Sequence, residues 1–235
     1  MLRPSGPSLS GDIADAPAAE HNGLVTLPWL IALMALGGLL AGLAGRAAIS
    51  RYAGSGAGRL PPLTAEAATA AVTALIAARA GPAAAVPALC WLGACGVPLA
   101  VIDVRTRRLP DALTAAAYAG TIVLLSAAAA AQSHWAQLAR AAGGGAALAA
   151  CFLVLALAGP GSVGLGDVKL SASAGTALAW FGWRVLFGGV FAGLLLAAVY
   201  GVVLLALRRA TLRQQIPFGP FLLAGTLTAI VTAIR

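Results

Sequence analysis

Read for hydrophobic and polar positions alone, the chain is a series of long apolar runs cut by short polar breaks. The runs fall at roughly 24–45, 64–80, 84–104, 111–131, 142–159, 168–183, 185–207 and 217–234. Within them apolar residues follow one another without alternation, as in "FAGLLLAAVYGVVLLAL" at 191–207. A membrane β-barrel strand would alternate, and this pattern does not. Most runs approach the ~20 residues a helix needs to cross a bilayer. The pattern therefore predicts an all-α, polytopic transmembrane bundle of about eight helices, the least certain break being the one around Trp183–Arg184.

The segment 1–23 is polar and rich in Pro, Gly and Ser, with Asp12, Asp15 and Glu20, and reads as a flexible N-terminal tail. It lacks the order of a cleaved signal peptide, because the first long apolar run begins only near Leu24. The remainder, 24–235, reads as one transmembrane domain.

Composition agrees with the pattern. Of 235 residues 60% are hydrophobic and 9% charged, with a mean hydropathy of +0.93. Soluble domains carry about 25% charged residues. The net charge of +8 raises nucleic acid as a partner, but the basic residues lie in short connectors and no nucleic-acid motif accompanies them. They encode topology instead. With the tail outside, Arg46, Arg51, Arg59, Arg105, Arg107, Arg108, Lys169, Arg208, Arg209 and Arg213 fall inside, against Arg3, Arg79, Arg140, Arg184 and Arg235 outside. The positive-inside rule favours this orientation.

Cys90, Cys95 and Cys151 form no C-x-x-C pair and read as small buried hydrophobes. His21 and His134 both map to the outer side, away from the acids, so no metal site is expected.

Acids are costly in membrane helices and are candidates for function wherever they occur. Beyond the tail there are four: Glu66, Asp103, Asp111 and Asp167. Glu66 in "LTAE" and Asp111 after Pro110 read as helix-start residues in capping roles. Asp103 closes one apolar run and Asp167 opens another, and both come to the same membrane face. Taken singly, Asp167 reads equally well as a helix cap, and Asp103 as an interfacial acid paired with Arg105 or Arg107. Taken together they suit a two-carboxylate site with one group ionised and one protonated, since like charges a few ångströms apart do not both ionise. Helix ends favour Asp167 as the ionised member and Asp103 as proton donor, and Lys169 would reinforce this if it reached Asp167. Gly164 and Gly166 would let an extended peptide approach the loop closely.

Three segments, "IDVRTRRLPDALT" (102–114), "GLGDVK" (164–169) and "IPFGPFLLAG" (216–225), resemble in order and spacing those of the type IV prepilin peptidases. These are GxGD-type aspartic proteases of the bacterial cytoplasmic membrane. The resemblance covers residues of about 64 to 234. It implies that Asp103 and Asp167 are the catalytic pair, and that the substrate is a prepilin or pseudopilin precursor cut at its basic leader on the cytoplasmic side. No metal or organic cofactor is implied. Pro217, Gly219 and Pro220 would break a helix near the site and shape a substrate groove. Longer relatives carry a cysteine-rich insert after the first helix and also N-methylate the product. The connector 46–63 here is short and cysteine-free, so methylation is not expected.

Two other readings compete. Intramembrane proteases of the presenilin type share GxGD but pair it with Tyr-Asp and Pro-Ala-Leu motifs, and Asp103 follows Ile102. A proton-coupled transporter could use both acids as a relay, but would place them near mid-membrane in broken helices.

Overall fold

The computed structural model describes residues 18–53, 61, 63–81, 83–158, 164–208 and 217–234, with the backbone alone for 18–27. The described residues form eight α-helices and no strand: α1 (Ala18–Ala53), α2 (Thr64–Ala80), α3 (Val86–Thr106), α4 (Asp111–Gln132), α5 (Trp135–Ala158), α6 (Leu165–Phe181), α7 (Trp183–Ala206) and α8 (Gly219–Ala233). Five of these are long and apolar enough to cross a membrane, within α1, α3, α4, α5 and α7. The protein is a multi-pass helical bundle.

The helices follow the apolar runs, with three informative differences. Helix α1 begins at Ala18, so the end of the expected tail is helical, while residues 1–17 lie outside the described set. Helix α5 begins seven residues before its apolar run, at Trp135, because Arg140 is held inside the bundle. Its guanidinium donates to the carbonyls of Ala179 (2.8 Å) and Trp180 (2.7 Å) at the end of α6, a cation on a helix C-terminus. The break near Trp183 is real: Gly182 (φ 127°) separates α6 from α7 in a conformation that favours glycine.

Burial sorts the helices. Helix α6 is central, its side chains from Ser173 to Trp180 all buried, and packs on α4, α5, α7 and α8. At Gly145 of α5 a Cβ would stand 2.1 Å from the Thr176 hydroxyl, so only glycine admits this approach. Helices α1 and α7 are peripheral and expose large apolar side chains such as Leu33, Leu36, Phe187 and Phe191 to lipid. In hydrocarbon an unmade hydrogen bond costs several kcal/mol, and the buried threonines meet this by bonding backward. Thr69, Thr121, Thr176 and Thr226 each donate to the carbonyl four residues earlier, at 2.7 to 2.8 Å.

Chain direction and contacts define two ends. At one, the close of α1 meets the start of α2, the close of α3 meets the start of α8, and the starts of α4 and α6 meet. At the other, Arg140 holds the close of α6, and Arg79 near the end of α2 reaches the Val231 carbonyl of α8 at 3.5 Å.

Candidate active site

Asp103 sits one turn before the end of α3, and that turn is locked. Arg107 takes the left-handed conformation (φ 52°), which lets its N–H donate to the Asp103 carbonyl at 2.8 Å. The Thr106 hydroxyl lies 2.9 Å from the Ile102 carbonyl. With its backbone fixed, the Asp103 side chain is 5% exposed and turns toward α8. There the N–H of Gly219 donates to Oδ2 at 3.1 Å.

Gly219 and its prolines have a defined local role. Helix α8 starts at Gly219, and Pro220 occupies the first turn, where its missing N–H costs nothing and its fixed φ suits the helix. Of the N–H groups in this first turn, that of Gly219 meets Asp103, while those of Phe221 and Leu222 donate to the Phe218 carbonyl. A Cβ on Gly219 would lie 2.8 Å from Asp103 Oδ2, so the hydrogen bond and the absent side chain depend on each other. Pro217 lies two residues before the start of α8.

Asp167 is the third residue of α6. Gly164 precedes the helix in an ordinary extended conformation (φ −77°, ψ 146°), and the Asp167 N–H donates to its carbonyl at 3.0 Å. The capping position therefore belongs to Gly164, and Asp167 is not the cap. Its Oδ1 is buried without a hydrogen-bond partner, one of two such side-chain atoms among the described residues; the other is Ser173 Oγ. Asp103 is close enough for its charge to act on Asp167. The carboxyl groups, 64 residues apart in sequence, thus lie within electrostatic range of each other across α3 and α6.

The two glycines before Asp167 differ in their surroundings. Gly164 has open space, with nothing but Asp167 itself and Gly166 near its missing side chain. Gly166 receives the chain's own Leu109: a Cβ there would stand 2.7 Å from Leu109 Cβ. The α3–α4 connector packs directly on the start of α6, which ties the two aspartates' backbones together.

Lys169 does not pair with Asp167. Its Nζ lies 2.6 Å from Oδ1 of Asp111, an exposed ion pair between the first turns of α6 and α4. Asp111 is not a cap either, since Pro110 holds that position with no side-chain cap. Glu66 is likewise no cap. It is 1% exposed and accepts from Arg46, with Nη2 to Oε2 at 2.7 Å, which joins α1 to α2. Sequence reasoning missed this pair. Its signal was an acid and an arginine facing each other across one short connector, in a chain with few charges.

His134 opens α5 at the opposite end. Among the described residues no three His, Cys, Asp or Glu side chains gather as metal ligands. A hollow of about 490 Å³ opens on the aspartate end, lined by Tyr52, Ile102, Thr106, Arg108 and Asp111. The arrangement is a buried Asp103 and a half-buried Asp167 with one oxygen unsatisfied, at the end of a membrane bundle where this hollow opens.

Known proteins match this region. The type IV leader peptidase family matches residues 88–206, which include both aspartates. A prepilin leader peptidase/N-methyltransferase of Burkholderia pseudomallei (strain 1026b) is 36% identical over 156 residues, 62% of this chain and 46% of that protein. Proteins of the same name from Pseudomonas aeruginosa and Aeromonas salmonicida are 42% and 39% identical over 64 and 66 residues, covering 27% and 28% of this chain and 21% and 22% of theirs. The chain spans about half the length of the longest-matching of these relatives, or less. No solved structure matches it significantly. With half of its length matched by the family and both aspartates inside that match, the chain belongs to the type IV leader peptidase family.

Proposed function

We propose that this protein is an aspartic endopeptidase that removes the leader of prepilin or pseudopilin precursors, with Asp103 and Asp167 as its catalytic pair. The observation that carries the reading is the pairing itself. Two acids from separate helices come within range of each other's charge at one end of the bundle, and one oxygen of Asp167 is buried without a partner. A buried polar atom left unsatisfied costs stability, and such costs concentrate where chemistry is done.

The chemistry follows from the surroundings of each acid. Asp103 receives the Gly219 N–H at the start of α8, which suits the ionised form. Its own helix alone had suggested the reverse, because the second helix that meets it was not visible in the sequence. Asp103 takes a proton from water as the water oxygen attacks the scissile carbonyl carbon. Asp167 carries the shared proton and gives it to the departing amine nitrogen as the C–N bond breaks. The products are a carboxylic acid and a free amino terminus, and the two acids have exchanged one proton.

The aspartate end faces the cytoplasm of a bacterial inner membrane. Among the described residues Arg46, Arg51, Arg105, Arg107, Arg108, Lys169 and Arg208 belong to helix ends on that side, against Arg79, Arg140 and Arg184 on the other. Arg105, Arg107 and Arg108 there contact anionic lipid, since they would repel a basic leader. Helices α1 and α2 are joined by a short cysteine-free connector, so this chain cuts its substrate without methylating it.

The test is leader cleavage of a pilin-like precursor co-expressed with the unsubstituted chain, Asp103→Asn, Asp167→Asn or Asp111→Asn. Cleavage is expected to vanish in the first two substitutions and persist in the third. Cleavage by both folded dyad variants would overturn the assignment.

A further inference from the structure

The end of the bundle opposite the aspartates holds a cavity of about 300 Å³, between the α2–α3 and α4–α5 connectors and the closing turns of α6 and α8. Its lining is divided by chemistry. Gln132, His134, Gln137 and Arg140 form a polar side, and Val86, Leu89, Phe181 and Ile234 belong to an apolar one. No lining residue is acidic.

Arg140 gives the cavity its sign. A guanidinium carries five N–H donors in a planar fork, enough to grip acceptors on two edges. On the half-buried Arg140, Nε and Nη2 donate to the Ala179 and Trp180 carbonyls, which orient the group but do not neutralise it. The Nη1 donors meet no acceptor among the described residues, and neither ion pair found there includes Arg140. One edge of the fork and the whole of its charge thus remain uncompensated. A partly desolvated cation in this state favours an anion that accepts from both nitrogens of the open edge. The side chains of Gln132, His134 and Gln137 also have no partner among the described residues. The same holds for the indole N–H of Trp180, which lines the cavity and is 6% exposed.

Depth in the membrane narrows the class of anion. Trp135 and Trp183, which open α5 and α7 at this end, are both exposed. Exposed tryptophans at helix ends mark the headgroup layer of a bilayer, and the anion held in that layer is the phosphodiester of a phospholipid. The apolar side of the cavity fits the same ligand, because a lipid carries its chains close to its phosphate. Leu89 also lines a second hollow, about 160 Å³, between α2, α3 and α8. The one polar side chain there is Thr226, whose hydroxyl already donates to the Leu222 carbonyl at 2.8 Å.

We infer that the cavity at Arg140 is a phospholipid site. The open edge of Arg140 holds the phosphodiester, Gln137 and its polar neighbours complete the hydrogen bonds, and an acyl chain runs past Leu89. The bound lipid joins the starts of α3 and α5 to the ends of α6 and α8. The site uses no residue of the aspartate end and stands independently of the peptidase reading.

Native mass spectrometry of the full chain, released from detergent micelles, tests this with three additives: dioleoyl phosphatidylglycerol, dioleoylglycerol, which has the same chains and no phosphate, and inorganic phosphate. The unsubstituted chain is expected to retain one phosphatidylglycerol and no dioleoylglycerol, and excess inorganic phosphate should not displace the lipid. Arg140→Gln is expected to weaken retention about 10-fold or more, the equivalent of a hydrogen bond to a charged group. Gln137→Leu, whose side chain has no partner in the chain to lose, is expected to weaken it about 2- to 5-fold. Arg79→Gln, an exposed arginine at the same end and outside the cavity, should leave retention unchanged. Equal retention of dioleoylglycerol would reduce the site to apolar packing and overturn the inference. Displacement by inorganic phosphate would make it a site for a free anion and overturn the lipid as its occupant. Loss in Arg79→Gln as large as in Arg140→Gln would overturn it in favour of general charge. If Arg140→Gln fails to fold, Gln137→Leu decides: undiminished retention in that variant overturns the site.

Discussion

Arg140 at one end of the bundle and the two aspartates at the other handle their polar groups in opposite ways. At the far end, Arg140, the one partly buried arginine there among the described residues, donates to the Ala179 and Trp180 carbonyls that close α6, the first of which also accepts the Gly182 N–H. At the aspartate end, Asp103 has one backbone donor, and Asp167 keeps a buried oxygen with none. The first arrangement commits one edge of the guanidinium to tying α5 to α6. The second retains hydrogen-bonding capacity, which under the proposed function a bound group uses. In a hydrocarbon setting, where each unmade bond is expensive, that contrast separates a structural charge from a reactive one better than the mere presence of charge.

The contrast is broken most directly at the dyad. Asp103→Asn and Asp167→Asn each keep size and polarity but remove a titrating group. Each is expected to reduce leader cleavage by about 10²- to 10⁴-fold or more, the range lost with a positioned acid or base. Quantitative immunoblotting of precursor and product, normalised to membrane-inserted enzyme, measures this. Retention of activity within a few-fold in either variant would put the reactive charge elsewhere.

Next in size is Gly219. Gly219→Ala places a Cβ 2.8 Å from Asp103 Oδ2, so either the carboxyl group moves or α8 does. Misplacing a catalytic group by about 1 Å costs on the order of 10²-fold, and kcat is expected to fall by about 10- to 100-fold with expression maintained. The control is Gly188→Ala on α7, where the added Cβ meets nothing within 4 Å and cleavage is expected to be unchanged. Equal effects at both positions would mean that Gly219 acts through folding and not through Asp103.

These two tests also mark what the sequence disclosed. Helix number and order were legible because membrane helices must be continuous apolar runs, and α2, α4 and α7 lie within a few residues of their runs. Asp103 and Asp167 were legible because acids are rare here and the helix order brings both to one face. Pairings between helices were not legible. Lys169 lies two residues from Asp167 yet pairs with Asp111, because side chains two apart on a helix point to different faces. Gly166 looked like a place for a substrate backbone, but it receives Leu109, a contact set by how the α3–α4 connector folds back. The donor to Asp103 lies 116 residues away, and nothing local in "AVID" announces it.

At the far end the expected effect is on stability and not on cleavage. Arg140→Ala removes two hydrogen bonds from a charged donor and leaves the Ala179 carbonyl with the Gly182 N–H alone. Bonds to charged groups contribute about 1.5–3 kcal/mol, so a loss of that order is expected in unfolding measured in detergent micelles. Cleavage per folded molecule should not change. A loss of specific activity without a loss of stability would erase the distinction between the two ends.

The smallest effect belongs to Lys169 and Asp111, which sit at the reactive end but resemble the structural one. The side chains of the pair are 48% and 79% exposed, and such ion pairs contribute about 0.2–1 kcal/mol. The pair holds the start of α6 against α4, in addition to the packing of Leu109 on Gly166. Lys169→Glu places two like charges in contact and is expected to slow cleavage by about 2- to 5-fold, the kinetic equivalent of that energy range. The exchanged pair, Lys169→Asp with Asp111→Lys, restores the attraction with its sign reversed and should recover most of the rate. Recovery assigns Lys169 to holding α6 in place. If the exchange fails to recover activity while helix packing is intact, the ammonium group at 169 has a separate role in the reaction, and the reactive end extends one helical turn further than the carboxyl pair.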